Sequence, residues 1–416
     1  MTTLDRGAKS SPYTYLCPET QKKQGITSQT RLIKDKSSGP YVFEGDIDTL
    51  VAELQPTLPL YVMRPDILVR QAQAFLRGFR GTPMYAVKVN PDKHVIQTLY
   101  KAGIRTFDVA SIEEVRLVRR NAPKSTMHFM HPVKAREAIA EAYYMHGIRH
   151  FVLDTQRELN KILEETGHAR DLTLMVRMAV KGEDAIFSLS DKFGASLRET
   201  ANILSSARAV AKRIGVTFHV GSQCMDPSAY RKALETAAQA VHESGTHVDV
   251  IDVGGGFPVT YPNLVPPNLE SYFSEIDQAI YDYGFADCEV LCEPGRALVA
   301  EAGTMIARVY LRKENMLYLN DGTYGGMFDA GKQFNFCFST RRVGKNSGHG
   351  NTPFCFSGPT CDSVDMMKGP FMLPDNTDEG DWIEIQSMGA YSMSVRSNFN
   401  GFGRSVTVFL KEENNV

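Results

Sequence analysis

The middle of the chain alternates between short apolar runs and longer segments in which apolar residues recur every three or four positions. Short runs of this kind are typical of buried strands, and segments such as "DILVRQAQAFLRGFR" and "SIEEVRLVRRN" are typical of amphipathic helices. The eight runs are "PMYAVK" (83–88), "RTFDVAS" (105–111), "TMHFMHP" (126–132), "HFVLDT" (150–155), "LTLMVRM" (172–178), "VTFHVGS" (216–222), "VDVIDVGGG" (248–256) and "EVLCEPGR" (289–296). Eight strand–helix units over about 230 residues predict an α/β fold with a TIM-type (β/α)8 barrel. A doubly wound open sheet is the alternative.

The pattern changes after residue 297. The segments "TMIARVYLR", "MLYLND", "TPFCFSG", "DWIEIQSM" and "SVTVFLK" predict strands between Gly, Pro and Asn turns, and 339–352 predicts an exposed loop. We therefore expect a polar N-terminal extension at 1–40, a segment at 41–64 that joins the β domain, a barrel at 65–297, and a β-rich C-terminal domain at 298–416.

Composition narrows the class of protein. A net charge of -2 over 416 residues predicts no nucleic-acid partner, and the sequence has no stretch apolar enough to cross a membrane. The first residues contain no apolar core of a secretory signal, and the seven cysteines are scattered without C-x-x-C pairs. These features predict a cytoplasmic protein with reduced thiols, no metal site and a small-molecule substrate.

Polar residues follow almost every predicted strand, where a barrel of this type carries its active site. They are Lys88, Asp108 with Ser111, His131, Asp154, Arg177, His219 with Ser222, Gly254 to Gly256, and Glu293 with Arg296. A strand-end Asp can instead cap a helix, and a strand-end Lys can extend into solvent. The repetition of polar ends on otherwise apolar strands favours a functional site.

The last two strand ends predict a phosphate site. Glycines in "GGGFP" (254–258) let backbone N–H groups approach an anion, although a tight turn would also use them. "EPGR" (293–296) adds Arg296, which suits phosphate. With an amine at Lys88, a carboxylate at Glu293 and an imidazole at His219, the chain has the groups that pyridoxal phosphate requires.

Seven motifs in order, "YAVKVNP", "FDVAS", "HVGSQ", "DVGGGFP", "EPGR", "GPTCDSVD" and "GAYS", resemble the ornithine/lysine/diaminopimelate/arginine decarboxylase family, and most closely its ornithine and lysine enzymes. The resemblance implies an alanine-racemase-like barrel with a β domain, and pyridoxal phosphate as cofactor. It implies that Lys88 forms the Schiff base, unpaired with any carboxylate in the resting enzyme, that His219 stacks on the ring, and that Glu293 pairs with the ring nitrogen. The other implied cofactor residues are Asp108, Arg177, Ser222, Gly254, Gly255, Gly256, Gly295, Arg296 and Tyr391.

The resemblance also implies a homodimer whose active sites are shared across the interface. Cys361 of the second subunit would protonate the α-carbon, and Asp362 would bind the distal amine of the substrate. Without the resemblance, Cys361 would be read as a small buried apolar residue. Tyr324 and Asp329 would line the substrate pocket, although the second carboxylate of animal-type ornithine enzymes corresponds to a position near Gln333.

These residues favour L-ornithine and L-lysine, and hence putrescine, cadaverine and polyamine biosynthesis. Arginine, diaminopimelate or a larger conjugate remain alternatives. A racemase of the same fold usually has an arginine at the ring nitrogen, so Glu293 disfavours it. A non-catalytic regulator is disfavoured because every cofactor position holds a competent residue.

Overall fold

The computed structural model describes residues 40–180, 192–344 and 350–411, together with the backbone of 32–34 and 185–187. Most of the predicted extension at 1–40 therefore lies outside the described residues. The strands are β1 (Leu32–Lys34), β2 (Tyr41–Glu44), β3 (Leu60–Met63), β4 (Thr82–Ala86), β5 (Thr106–Val109), β6 (Thr126–Phe129), β7 (His150–Leu153), β8 (Thr173–Arg177), β9 (Ala185–Phe187), β10 (Arg213–Thr217), β11 (Ser222–Cys224), β12 (Val250–Asp252), β13 (Glu289–Cys292), β14 (Gly303–Lys313), β15 (Met316–Leu319), β16 (Thr340–Arg342), β17 (Asn351–Ser357), β18 (Met366–Pro374), β19 (Trp382–Ile385) and β20 (Val406–Lys411). The helices are α1 (Ile47–Leu54), α2 (Pro65–Gly78), α3 (Lys93–Ala102), α4 (Ile112–Asn121), α5 (Arg136–Tyr144), α6 (Gln156–Glu165), α7 (Leu197–Arg208), α8 (Ser228–Ser244), α9 (Leu269–Asp282) and α10 (Arg296–Val299).

Eight parallel strands close into a barrel in the order β4, β5, β6, β7, β8, β10, β12 and β13. Each apolar run identified in the sequence contributes one of them. A buried cluster of Met84, Met130, Val152, Met175, Val250 and Leu291 joins residues from six of these strand regions. Because these side chains come from strands all around the ring, they fill the barrel as a packed core. The predicted barrel is confirmed, and the open sheet is excluded.

A second, ten-stranded sheet combines both ends of the chain. Strand β20 runs parallel to β2 and β3, and β3 pairs antiparallel with β14. Strand β1 pairs antiparallel with β2, and the other strands extend from β14 through β15, β17 and β18, with β19 and β16 alongside. The predicted β-rich part of the fold is confirmed, and its sheet includes strands that precede the barrel.

Three local predictions were wrong. The first barrel strand ends at Ala86, and residues 87–89 form a 3-10 turn that carries Lys88. Part of the predicted loop at 339–352 is the strand β16, which pairs with β19, while 345–349 lie outside the described residues. Strand β18 was not predicted, because Lys368, Gly369 and Pro370 interrupt its apolar pattern.

No helix in the described ranges is long and apolar enough to cross a membrane. Among the same residues, no group of three or more His, Cys, Asp or Glu side chains is arranged to hold a metal ion.

Two histidines stack on each other on neighbouring barrel strands. His128 and His150 face one another across β6 and β7, with ring centroids 3.9 Å apart and planes inclined by 11°. The Nδ1 atoms of both rings are buried without a hydrogen-bond partner. Burial lowers the pKa of His128 well below its usual value, with His150 and Arg213 adding to the effect, and burial lowers the pKa of His150 to about 4. Both rings are therefore neutral in the folded protein at neutral pH.

This pair predicts a loss of stability in acid. A histidine whose pKa is lowered by folding stabilises the fold above its unfolded pKa of about 6.5, and this contribution falls as the pH decreases toward the folded value. The shift of His150 is expected to cost roughly 1–2 kcal/mol of unfolding free energy between pH 6.5 and pH 5, and His128 adds to the loss in the same direction. Urea unfolding of His128→Phe should show a smaller decrease over this range than wild type. Parallel pH dependences in the two proteins would contradict the prediction.

Candidate active site

The carboxyl ends of the barrel strands and a loop of the second sheet enclose a cavity of 640 Å³. The residues predicted for cofactor or substrate that line it are Lys88, Asp108, Arg177, His219, Ser222, Glu293, Arg296, Asp329 and Tyr391. Their positions in the sequence span more than 300 residues, so it is the closure of the barrel that brings them together. Arg177 lies at the side of this cavity, with its guanidinium 5.5 Å from the centre of the Phe193 ring.

Lys88 projects into this cavity from the 3-10 turn that follows β4. Its Nζ lies 2.9 Å from Oδ2 of Asp108, whose side chain is 1% exposed, whereas the lysine side chain is 41% exposed to the cavity. Burial lowers the pKa of Lys88, but the carboxylates of Asp108 and Glu293 outweigh it and raise the pKa above its usual value. Lys88 is therefore paired with Asp108 in the chain by itself, while the expectation that it is unpaired concerns the enzyme with its cofactor linked and stays a prediction.

Glu293 and Asp252 form a buried pair of carboxyl groups behind Lys88. The two side chains are hydrogen-bonded to each other, and Oδ1 of Asp252 accepts a hydrogen bond from the N–H of Gly254 at 2.9 Å. Burial and the charges of Asp252 and Asp108 raise the pKa of Glu293 well above its usual value, and burial raises the pKa of Asp252 to about 6. The pair therefore retains a proton near neutral pH. Asp252 was missed in the sequence, although it stands two residues before the triple glycine.

The ring of His219 is held by its own backbone turn. Nδ1 accepts a hydrogen bond from the N–H of Gly221 at 3.0 Å, which leaves the proton of a neutral ring on Nε2. Burial and the positive charges of Arg177 and Lys88 lower the pKa of His219 well below its usual value. A neutral imidazole at the cavity wall is suited to face an aromatic ring.

The triple glycine makes room at the deep end of the cavity. Gly254 has a φ of +70°, and a Cβ there would lie 2.0 Å from the carbonyl oxygen of Phe218. A Cβ on Gly255 would lie 2.9 Å from Nε2 of His219. The residues that line this end are Lys88, His219, Ser222, Gly256, Glu293, Gly295, Arg296 and Tyr391, together with apolar neighbours.

Arg296 supplies the positive charge at this deep end. Its side chain is 5% exposed, and its Nε is buried without an acceptor. Nη1 donates to the hydroxyl of Tyr261 at 3.0 Å and to Oδ2 of Asp329 at 2.7 Å. The side of the guanidinium that has no acceptor lies near the glycine backbone, and this combination fits a phosphate group. The hydrogen-bonded carboxyl pair fits a cationic ring nitrogen. The residues present thus fit pyridoxal phosphate.

The remaining predicted residues lie elsewhere. The hydroxyl of Tyr324 donates to Oδ2 of Asp362 at 2.6 Å, and the N–H of the exposed Cys361 donates to Oδ1 of Asn400 at 3.0 Å. Within the described part of the chain, none of Tyr324, Cys361 and Asp362 is among the residues that line the Lys88 cavity.

Comparison with known proteins agrees with this geometry. Residues 66–300 match the family model described as "Pyridoxal-dependent decarboxylase, pyridoxal binding domain". The lysine/ornithine decarboxylase of Selenomonas ruminantium is 32% identical over 380 residues, which cover 89% of this chain and 93% of that protein. Antizyme inhibitor 2 of Xenopus laevis is 32% identical over 372 residues, or 81% of this chain and 78% of that protein. The crystal structure of the Paramecium bursaria Chlorella virus arginine decarboxylase bound to agmatine superposes with a TM-score of 0.78 at 26% identity, covering 88% of this chain and 99% of that one.

Proposed function

Because the chain belongs to the family of pyridoxal-dependent decarboxylases, we propose that it decarboxylates L-ornithine and L-lysine, yielding putrescine and cadaverine for polyamine biosynthesis. That it is a pyridoxal phosphate-dependent decarboxylase of basic amino acids follows from its family and its relatives. The observation that carries the proposal is that Lys88, Glu293 and Arg296 line the same cavity. Gly256 and Gly295 line the adjoining deep end together with them.

Each residue at the cavity then has a defined task. Pyridoxal phosphate, when bound, supplies the electron sink that makes loss of carbon dioxide possible. Lys88 provides the amine that links the cofactor to the protein, and Glu293 keeps a proton at the ring nitrogen with the help of Asp252. His219 would face the ring. Arg296, Ser222 and Tyr391, which line the deep end of the cavity, would hold the phosphate together with the glycine backbone.

Two residues proposed for the substrate are not among the described residues that line the Lys88 cavity. Cys361 is suited to move a proton from Sγ to the α-carbon. Asp362 is suited to hold a distal ammonium group of the substrate, because its carboxylate attracts that group and repels a distal carboxylate. Both stand on an exposed loop that does not line the cavity in the described residues. We therefore propose that a second copy of the chain brings this loop to the cavity.

The surface around that loop supports a homodimer. Val364, Val395, Phe399 and Phe402 are large apolar residues that are exposed in the single chain. Tyr324, the partner of Asp362, also packs on Phe399, with ring centroids 4.8 Å apart. Exposed apolar residues next to proposed catalytic groups are typical of an interface that completes a site. The described cysteines are free thiols, which is consistent with the cytoplasmic location that we also propose.

The experiment that tests this function is a carbon dioxide release assay with four substrates. We expect L-ornithine and L-lysine to exceed L-arginine and meso-diaminopimelate by about tenfold or more in kcat/KM, because one carboxylate at Asp362 favours a compact ammonium group. An Asp362→Asn variant serves as the matched control. It should raise KM for the diamino acids, since the amide keeps the shape and removes the charge. Preference for arginine or diaminopimelate, or inversion of the amino acid without carbon dioxide, would contradict the proposal.

A further inference from the structure

The guanidinium of Arg296 is hydrogen-bonded to the protein on one side only. Nη1 carries both protein contacts, to Tyr261 and to Asp329, while Nε is buried without an acceptor. Among the described residues, Nη2 donates no hydrogen bond either. The guanidinium carbon also lies 5.1 Å from the centres of the Phe336 and Tyr391 rings. The Nε–Nη2 edge is therefore the one available to an anion, and it is a bidentate edge.

Asp329 is the charged group that sets this orientation. It lies in a 3-10 turn of the second sheet's loop and is 8% exposed. Its carbonyl oxygen accepts a hydrogen bond from the N–H of Phe336 at 3.0 Å, so its backbone is anchored beside one of the rings that flank Arg296. A buried carboxylate 2.7 Å from a buried guanidinium is satisfied by that guanidinium. Because Arg296 balances its charge through Oδ2, Asp329 attracts an incoming ammonium group less strongly than an unpaired carboxylate would.

We propose that Asp329 is a positioning residue, which holds Nη1 of Arg296 so that the opposite edge faces the cofactor phosphate, and that it does not bind the distal amine of the substrate. This assignment differs from the substrate role expected from the sequence. It rests on the proposed role of Arg296 at the phosphate. It also means that the loop of the second sheet contributes to cofactor affinity.

Two substitutions of Asp329 distinguish its role as a hydrogen-bond acceptor for Arg296 from the effect of its negative charge. Asp329→Asn keeps an oxygen that can accept from Nη1, whereas Asp329→Ala removes the acceptor, and both remove the negative charge. Equilibrium dialysis of each holoenzyme, followed by the visible absorbance of bound cofactor, should give a Kd for pyridoxal phosphate about tenfold higher for Ala than for Asn. The Kd for pyridoxal, which has no phosphate, should be equal in the two variants. KM for L-ornithine and L-lysine at saturating cofactor should change less than about threefold.

An Asp171→Ala variant is the control for loss of an ion pair, since Asp171 pairs with Arg149 at the opposite end of the barrel. It should leave the Kd for pyridoxal phosphate unchanged. If Asp329→Ala does not fold, Asp329→Leu keeps the volume and also lacks an acceptor. Equal cofactor affinities for the Asn and Ala variants would overturn the proposal, as would a tenfold rise of KM in both. Failure to decarboxylate any basic amino acid would refute the proposed substrates but leave this comparison of affinities intact.

Discussion

A Lys88→Ala chain is expected to lose decarboxylase activity by about 10³-fold or more, because it has no amine to hold and release the cofactor covalently. The residue lies on the turn after β4 with its Nζ beside Asp108, in the cavity that Glu293 and Arg296 also line. The same substitution should abolish the visible absorbance of the protein-bound cofactor. Carbon dioxide release and absorbance spectra of the purified protein measure both effects.

Lys88→Arg is the matched control for this prediction. Arginine retains the positive charge beside Asp108 but remains protonated and cannot form the covalent link. If Lys88 only balanced the buried carboxylate, the Arg variant would be close to wild type and the Ala variant would be destabilised. We expect both variants to be inactive, and the Arg variant to unfold at nearly the wild-type temperature. An active Arg variant would refute the covalent role.

The barrel and most of its cavity could be predicted from the sequence for a simple reason. Apolar strands of a parallel barrel are uninterrupted, and their polar residues come at one end, so Lys88, Asp108, His219 and Glu293 stand out even without a structure. That pattern predicts which residues lie together at the carboxyl end of the barrel. It does not specify which of them are in contact.

Contacts between neighbouring strand ends could not be derived from the sequence. Asp252 and Glu293 are 41 positions apart, yet the pairing of β12 with β13 places their carboxyl groups together. Asp329 and Arg296 come from different parts of the fold. The family resemblance suggested a substrate role for Asp329, and the "EPGR" motif suggested a phosphate role for Arg296. Only their packed geometry indicates that the two act together.

The proposed dimer would allow two different inactive chains to restore activity when they are combined, which a site built from one chain would not allow. If each active site takes Lys88 from one subunit and Cys361 from the other, two different inactive chains can complement each other. In a heterodimer of Lys88→Ala and Cys361→Ala chains, one site combines both substitutions and the other combines both wild-type residues. If each active site used residues of one chain only, both sites of the heterodimer would be defective.

Mixing equal amounts of Lys88→Ala and Cys361→Ala proteins under conditions of subunit exchange is therefore expected to restore about 25% of wild-type activity, since half of the dimers are heterodimers with one intact site each. Each variant alone should be nearly inactive. Differently tagged chains allow the heterodimer to be isolated, and its carbon dioxide release should then approach half of the wild-type value per dimer.

Complementation requires Cys361 to act across the exposed surface formed by Val364, Val395, Phe399 and Phe402. A charge introduced at Phe399 should therefore reduce both subunit exchange and the recovered activity. Verified heterodimers without recovered activity would show that the site is not shared.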